Sequence, residues 1–232
     1  MEETPKALEI ANVQSKTICV KSNSSNAIEI QNCKNSYIYI VKPIDTIIIK
    51  HCTDSLIFIC SANIVTIDRS SQVKVTSYSQ SIRVSKSHHI NLYLYVNTQP
   101  IVSEGSYNIV IAPYNAASKF VLPTGKNFWN YPINESGASS SLMDPSDFCP
   151  LVVPFGDEPD GISTYLPRDF LKTLAKRERI AEERRKLVLE FCKRNPDYSE
   201  LIQQKISESF DKYLTESKGK EQIIQLSAVE YW

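Results

Sequence analysis

The sequence predicts a mainly β fold, a parallel β-helix of about six coils followed by a C-terminal α-helical extension. Three observations predict it. First, a hydrophobic unit returns through the first half, aligned on Val13, Cys33, Cys52, Ser70, Ser87 and Ser106 at spacings of 20, 19, 18, 17 and 19 residues. Five positions before these stand Leu8, Ile28, Ile47, Val65, Ile82 and Ile101, and five after stand Ile18, Ile38, Ile57, Val75, Leu92 and Ile111. Second, apolar and polar residues alternate within each unit, the two-residue period of a strand rather than the 3.6-residue period of a helix. Third, after Pro167 the period becomes helical.

Each repeat reads as two strands joined by a polar corner. Ile28/Ile30, Ile47/Ile49, Val65/Ile67 and Ile82/Val84 are assigned inward, which sends Glu29, Ile48, Thr66 and Arg83 outward. β-branched residues dominate the inward columns, as a stacked pleated surface favours. The corners QNCKNS, KHCTDS, DRSSQ, SKSHH and SEGSYN hold Asn, Asp, Ser and Gly, which hydrogen-bond locally or tolerate left-handed backbone. An antiparallel sandwich also has short strands and frequent turns, but the constant place of the corner in the repeat favours the solenoid.

Residues 1–118 are therefore read as the β-helix, 119–166 as a proline-rich linker packed on it, and 167–232 as the helical extension. Phe128, Trp129 and Tyr131 are expected to pack on an outer face or open end of the solenoid, and Leu151–Phe155 as a strand or docking segment. In the tail, Phe170, Leu171, Leu174, Leu187, Val188 and Phe191 mark a first helix. Asn195–Pro196 opens a second, with Leu201, Ile202, Ile206, Phe210 and Leu214 on one face and Gly219 past its end. That stripe is expected to pack against Leu174, Leu187 or Phe191. From Arg168 to Arg194 there are ten basic and five acidic residues, read either as a solvated face with i,i+4 pairs or as a surface for an acidic partner such as tubulin.

Composition narrows the function. Lys plus Arg and Asp plus Glu stand at 26 each, so no global field attracts nucleic acid or a membrane surface. The opening MEETPKALEI has no apolar core segment, which is not the pattern of a secretory signal, and no run reaches the roughly 18 apolar residues of a spanning helix. The expectation is a cytoplasmic protein with reduced thiols, its six cysteines lacking a CxxC pair. No metal or cofactor is expected: His51–Cys52 and His88–His89 are sequence neighbours that a strand would point to opposite faces, and phosphate-cradling glycine motifs are missing.

The polar constellation with most chemistry is Gln80-Ser81-Ile82-Arg83 followed by Thr98-Gln99-Pro100. Arg83 stands in the outward column one repeat before Val102. A single Arg on a stiff face of low charge meets the requirement for an arginine finger, which reaches into another protein's nucleotide site and spreads γ-phosphate charge. On composition alone an ordinary solvated Arg is the favoured reading. Gln80 shares that side only if it lies at the preceding corner.

At these residues the chain resembles the C-CAP/cofactor C-like (TBCC) domain family, through QSIRV (Gln80–Val84), NTQPIV (Asn97–Val102) and NIVIAPY (Asn108–Tyr114). The resemblance implies a right-handed β-helix. It also implies a finger at Arg83 with Gln80 as its contact residue, stimulating GTP hydrolysis on tubulin or an Arf-like GTPase. Thr98, Gln99, Pro100 and Glu104 would contact the partner; Ser103 stands where members acting on Arf-like GTPases carry an acidic contact, with Glu104 beside it. The segment Asp144–Phe155 and the closing helices resemble a branch of the family associated with centrosomes, spindle poles, basal bodies and organelle positioning. That branch is regarded as having lost the catalytic Arg, whereas this chain carries Arg83. The implied function is a cytoskeletal docking protein at microtubule-organising centres, with GTPase activation through Arg83 as the alternative.

Overall fold

In a computed structural model, residues 7–22, 24–117, 124–155, 166–216 and 219–232 are described. The strands are β1 (Leu8–Ala11), β2 (Thr17–Val20), β3 (Ala27–Gln31), β4 (Tyr37–Lys50), β5 (Leu56–Asp68), β6 (Lys74–Ser85), β7 (His88–Val96), β8 (Ile101–Val102), β9 (Tyr107–Pro113), β10 (Ala116–Ala117), β11 (Ile133–Asn134), β12 (Ser140–Leu142) and β13 (Leu151–Val152). Helices α1 (Arg168–Arg194), α2 (Ser199–Glu216) and α3 (Gly219–Ser227) follow, and β14 (Glu230–Tyr231) closes the chain. Two compact units result: Met1–Pro167 with Ala228–Trp232, and Arg168–Ser227.

The first unit is the expected parallel β-solenoid of about six coils. Ile28, Ile47, Val65 and Ile82 are successive partners in register, as are Ile18, Ile38, Ile57, Val75, Leu92 and Ile111. All are buried and line one continuous aliphatic core. Removing each from water contributes about 1.5–3 kcal/mol. β11 and β12 add rungs above β8 and β9, and Trp129 packs against the core.

The corners turn through left-handed backbone at pairs of positions three apart: Asn12 and Ser15, Asn32 and Asn35, His51 and Asp54, Arg69 and Gln72, Lys86 and His89, Gly105 and Asn108. Asn and Asp suit these sites; His51, Arg69 and Lys86 hold them because the stacked rungs impose the turn. His51 is thus an exposed corner residue beside the fully buried Cys52. Cys33 and Cys52 stack as small buried residues, and their Sγ–H groups donate to the Gln31 and Lys50 carbonyls at 3.4 and 3.3 Å. The hydrogen bond with Cys33 and burial together push the Cys52 thiol up, and burial raises Cys60 to about 12. Among the described residues no group of three His, Cys, Asp or Glu is arranged for a metal ion.

Corner serines complete the stack. Each accepts the backbone N–H of the corner one coil earlier: Cys52 to Ser70 Oγ (3.2 Å), Ser70 to Ser87 Oγ (3.1 Å) and Ser87 to Ser106 Oγ (3.4 Å). Ser87→Ala would strand the buried Ser70 N–H, so we expect a loss of about 1–3 kcal/mol in chemical denaturation. An unchanged unfolding midpoint would show that the ladder adds nothing.

One register assignment needs correction. Ile101 is not inward beside Ile82: it pairs with Arg83 on the outer face, while Val102 pairs with Val84 and is buried. Buried Pro100 takes the inward place. The cause is one additional residue in the sixth corner, Ser103-Glu104-Gly105-Ser106 against Ser85-Lys86-Ser87, with Gly105 at φ +76°. A Cβ on Gly105 would meet Lys86 Cγ at 3.4 Å, an ordinary contact, so it is the left-handed conformation rather than space that favours glycine there.

The second strand column is covered on its outer side. Cys19, Tyr39, Phe58, Cys60, Tyr114, Ala116 and Val153 form a second buried cluster. Phe155 meets Tyr39 edge-on at 5.0 Å, Phe148 meets Tyr93 at 6.1 Å, and β13 pairs with β10. Leu151–Phe155 is therefore a docking segment with a short strand, as expected. At the first coil, β14 pairs with β2, with Lys16 Nζ 2.6 Å from Glu230 and Lys21 Nζ 4.7 Å from the Tyr231 ring. Pairing and charge there blunt an edge that would otherwise invite another strand.

In the second unit, Asp169 in the first turn and Lys193 and Arg194 in the last complement the dipole of α1. Arg179–Glu183, Lys186–Glu182 and Arg194–Glu190 support its exposed face at i,i+4. A 3-10 turn, Pro196–Tyr198, leads to α2, and Phe191 meets Tyr198 at 6.3 Å. One expectation fails here. Leu187, Phe191, Ile206 and Phe210 are exposed, so the α2 stripe is not buried on α1. Gly219 opens α3 as well as following α2.

Candidate functional site

Among the described residues of the first unit, the outer side of the first strand column is the face left open. Its central row stacks Glu29, Ile48, Thr66, Arg83, Ile101 and Ile133 in register, one residue per rung. The two-residue period adds Ile64 and Ser81 on one side and Lys50, Asp68 and Ser85 on the other. Ile64, Ile133 and Tyr131 are 49%, 44% and 55% exposed, large apolar groups unusual on a sheet facing only water. The face is stiff because every rung is hydrogen-bonded to its neighbours over a close-packed core. Most of its charges are internally matched: Lys50 Nζ lies 2.8 Å from Glu29, and Ser85 Oγ–H donates to Asp68 at 2.9 Å.

Arg83 sits in the middle of this face because Ile82 and Val84 point into the core. Its side chain is 53% exposed, as a finger requires. The expectation of a guanidinium without a carboxylate is not met: Nη2 donates to Glu135 Oε1 at 3.0 Å. Glu135 follows β11 and is anchored by its backbone N–H to the Val102 carbonyl at 2.8 Å.

Gln80 is exposed where β6 bends from the covered column to the open one, at the preceding corner. Thr98 Oγ–H donates to the Gln80 carbonyl at 2.9 Å, which ties T-Q-P to Q-x-x-R. Gln99 is exposed and its Nε2 donates to the Tyr131 carbonyl at 3.2 Å. Pro100 is buried, so only its carbonyl takes part, accepting from Ile133 N–H at 2.8 Å. Glu104 is an exposed corner residue whose carbonyl accepts from Lys86 N–H at 3.3 Å. The structure thus joins Gln80 to Thr98 and Arg83 to Glu135, with Ile101 next to Arg83 in register on the following rung. Sequence reasoning did not single out Glu135, which is 52 residues from Arg83 in the chain. No metal-type cluster accompanies this face among the described residues, and a flat aliphatic sheet with a central Arg suits a protein surface better than a small molecule.

Residues 25–124, which include the central run of this face from Ala27 to Ile101, match the model of the family described as tubulin binding cofactor C. The chain is also similar to proteins named TBCC domain-containing protein 1. It is 25% identical to that of Gallus gallus over 86% of this chain and 39% of the relative. Against Danio rerio the figures are 24%, 91% and 40%, and against Homo sapiens 24%, 86% and 38%. The chain therefore spans about two-fifths of the length of these curated relatives. No helix among its described residues is long and apolar enough to cross a membrane.

Proposed function

We propose that the chain is a cytoskeletal docking protein acting at microtubule-organising centres, in organelle positioning and cell organisation. Its partner surface is the open face around Arg83. The observation that carries this reading is the contrast between the two outer faces. One is covered by Phe148, Val153 and Phe155; the other leaves Ile64, Ile101, Ile133 and Tyr131 around a single Arg. The family description and the similarity to TBCC domain-containing protein 1 support tubulin, or a GTPase handled with it, as the partner class. Ile101→Asp places a charge on the centre of that face without touching the core. We expect it to weaken capture of purified αβ-tubulin about tenfold or more, consistent with the 2 kcal/mol or more that a central interface position carries. Retained tubulin capture by a folded Ile101→Asp protein would overturn the docking face.

A second reading has its own observation. Arg83 is half-exposed, centred on a stiff sheet, with Gln80 linked to the same rungs through Thr98. This supports a GTPase-activating protein that inserts Arg83 into the nucleotide site of tubulin or an Arf-like GTPase, with Gln80, Gln99 and Glu104 along the contact. No cofactor is needed: the chemistry is charge stabilisation at the partner's own phosphate.

A further inference from the structure

We propose that Glu135 is a specificity-determining residue of the docking face, occupying Arg83 in the free protein and pairing with a cationic group of the partner in the complex. The inference rests on the docking reading above. Three observations carry it. Glu135 contacts the guanidinium through one oxygen and one nitrogen, at 3.0 Å, with both side chains about half-exposed. Such a pair is worth about 0.2–1 kcal/mol, so a partner displaces it with a penalty of at most about fivefold in affinity. The guanidinium keeps other donors free for a second, bidentate acceptor. Second, Glu135 is held in place by backbone: its N–H donates to the Val102 carbonyl and its carbonyl accepts from Ala138 N–H at 3.0 Å. When Arg83 turns to a partner, the carboxylate stays on the face. Third, the other acids of the face already have local partners, Glu29 with Lys50 and Asp68 with Ser85.

The partner that fits is therefore a protein surface with an anionic group opposite Arg83 and a cationic group close beside it, opposite Glu135. A complex leaving Glu135 covered and unpaired would be strongly disfavoured, which rejects wrong partners and fixes the direction of docking.

The test is a charge swap, Arg83→Glu with Glu135→Arg, measured with purified αβ-tubulin beside wild type, Glu135→Gln and Ile101→Asp. The swap keeps an ion pair on the face, so thermal unfolding is expected to match wild type. Tubulin binding is expected to fall tenfold or more, because both intermolecular contacts become like-charged. Glu135→Gln, which frees Arg83 but loses the partner cation, is expected within about threefold of wild type, with a weaker salt dependence. Binding that Ile101→Asp abolishes but the swap leaves intact overturns the role of Glu135 and spares the docking face. Wild-type protein that does not bind tubulin, or that binds equally with Ile101→Asp, overturns the docking reading and this inference with it.

Discussion

Phe58→Ala is expected to destabilise the solenoid by about 3–5 kcal/mol, the range of a large aromatic removed from a close-packed site. Phe58 is fully buried although it lies on the outer side of β5. It stands between Tyr39 and Thr76 in register, with the Tyr39 ring 6.4 Å away, and belongs to the cluster with Val153. Truncation opens a cavity between two layers that are both fixed, so relaxation recovers little. The matched control is Ile64→Ala on the open face, 49% exposed, expected to change stability by no more than about 0.5 kcal/mol. Chemical denaturation of both variants checks the pair. Equal losses would mean that the two outer faces do not differ as described.

Arg83→Ala has the larger expected effect on activity, if GTPase activation is the function. An arginine finger contributes about 10³ to 10⁵ in hydrolysis rate, so the variant loses stimulation by that factor while binding stays within about tenfold. Arg83→Lys fails equally, because an ammonium cannot reproduce the planar fork. Under the docking reading neither substitution alters hydrolysis by any GTPase, and Arg83→Ala shows only weaker partner binding. Single-turnover GTP hydrolysis with tubulin and a panel of Arf-like GTPases separates the two. Neither substitution touches the core, so folding is expected to be unaffected: Arg83 is flanked inward by Ile82 and Val84, which stay in place.

The solenoid was legible because its core is periodic. Ile47, Val65 and Ile82 announce themselves by spacing alone and stack as that spacing requires. Counting back from Ser106 misplaces Ile101 because one extra corner residue shifts the strand before it by one position, and so to the other face, while Ile109 and Ile111 after it keep their inward places; Gly105 in that corner was a local sign of it. The covered face left a signal in YIYIV, LIFIC and NLYLYV, whose nearly continuous apolar runs mark strands buried on both sides. What covers them, Phe148 and Phe155, is remote in sequence and had no periodicity to follow. Gln80, Arg83 and Thr98 were found through a family resemblance and their outward parity. Glu135 was not found, because an ion pair between a strand and a distant loop leaves no mark in either local pattern. Likewise β14 is two residues whose pairing with β2 depends wholly on tertiary placement.

Hydrogen–deuterium exchange of the full chain with and without purified αβ-tubulin tests the docking face most directly. The account predicts added protection in peptides covering Ser81–Ser85, Gln99–Ser103 and Tyr131–Glu135, with β2 and the Leu151–Phe155 segment unchanged. Protection confined to the covered side or to α1 and α2, with the strands around Arg83 exchanging as in the free protein, would contradict it.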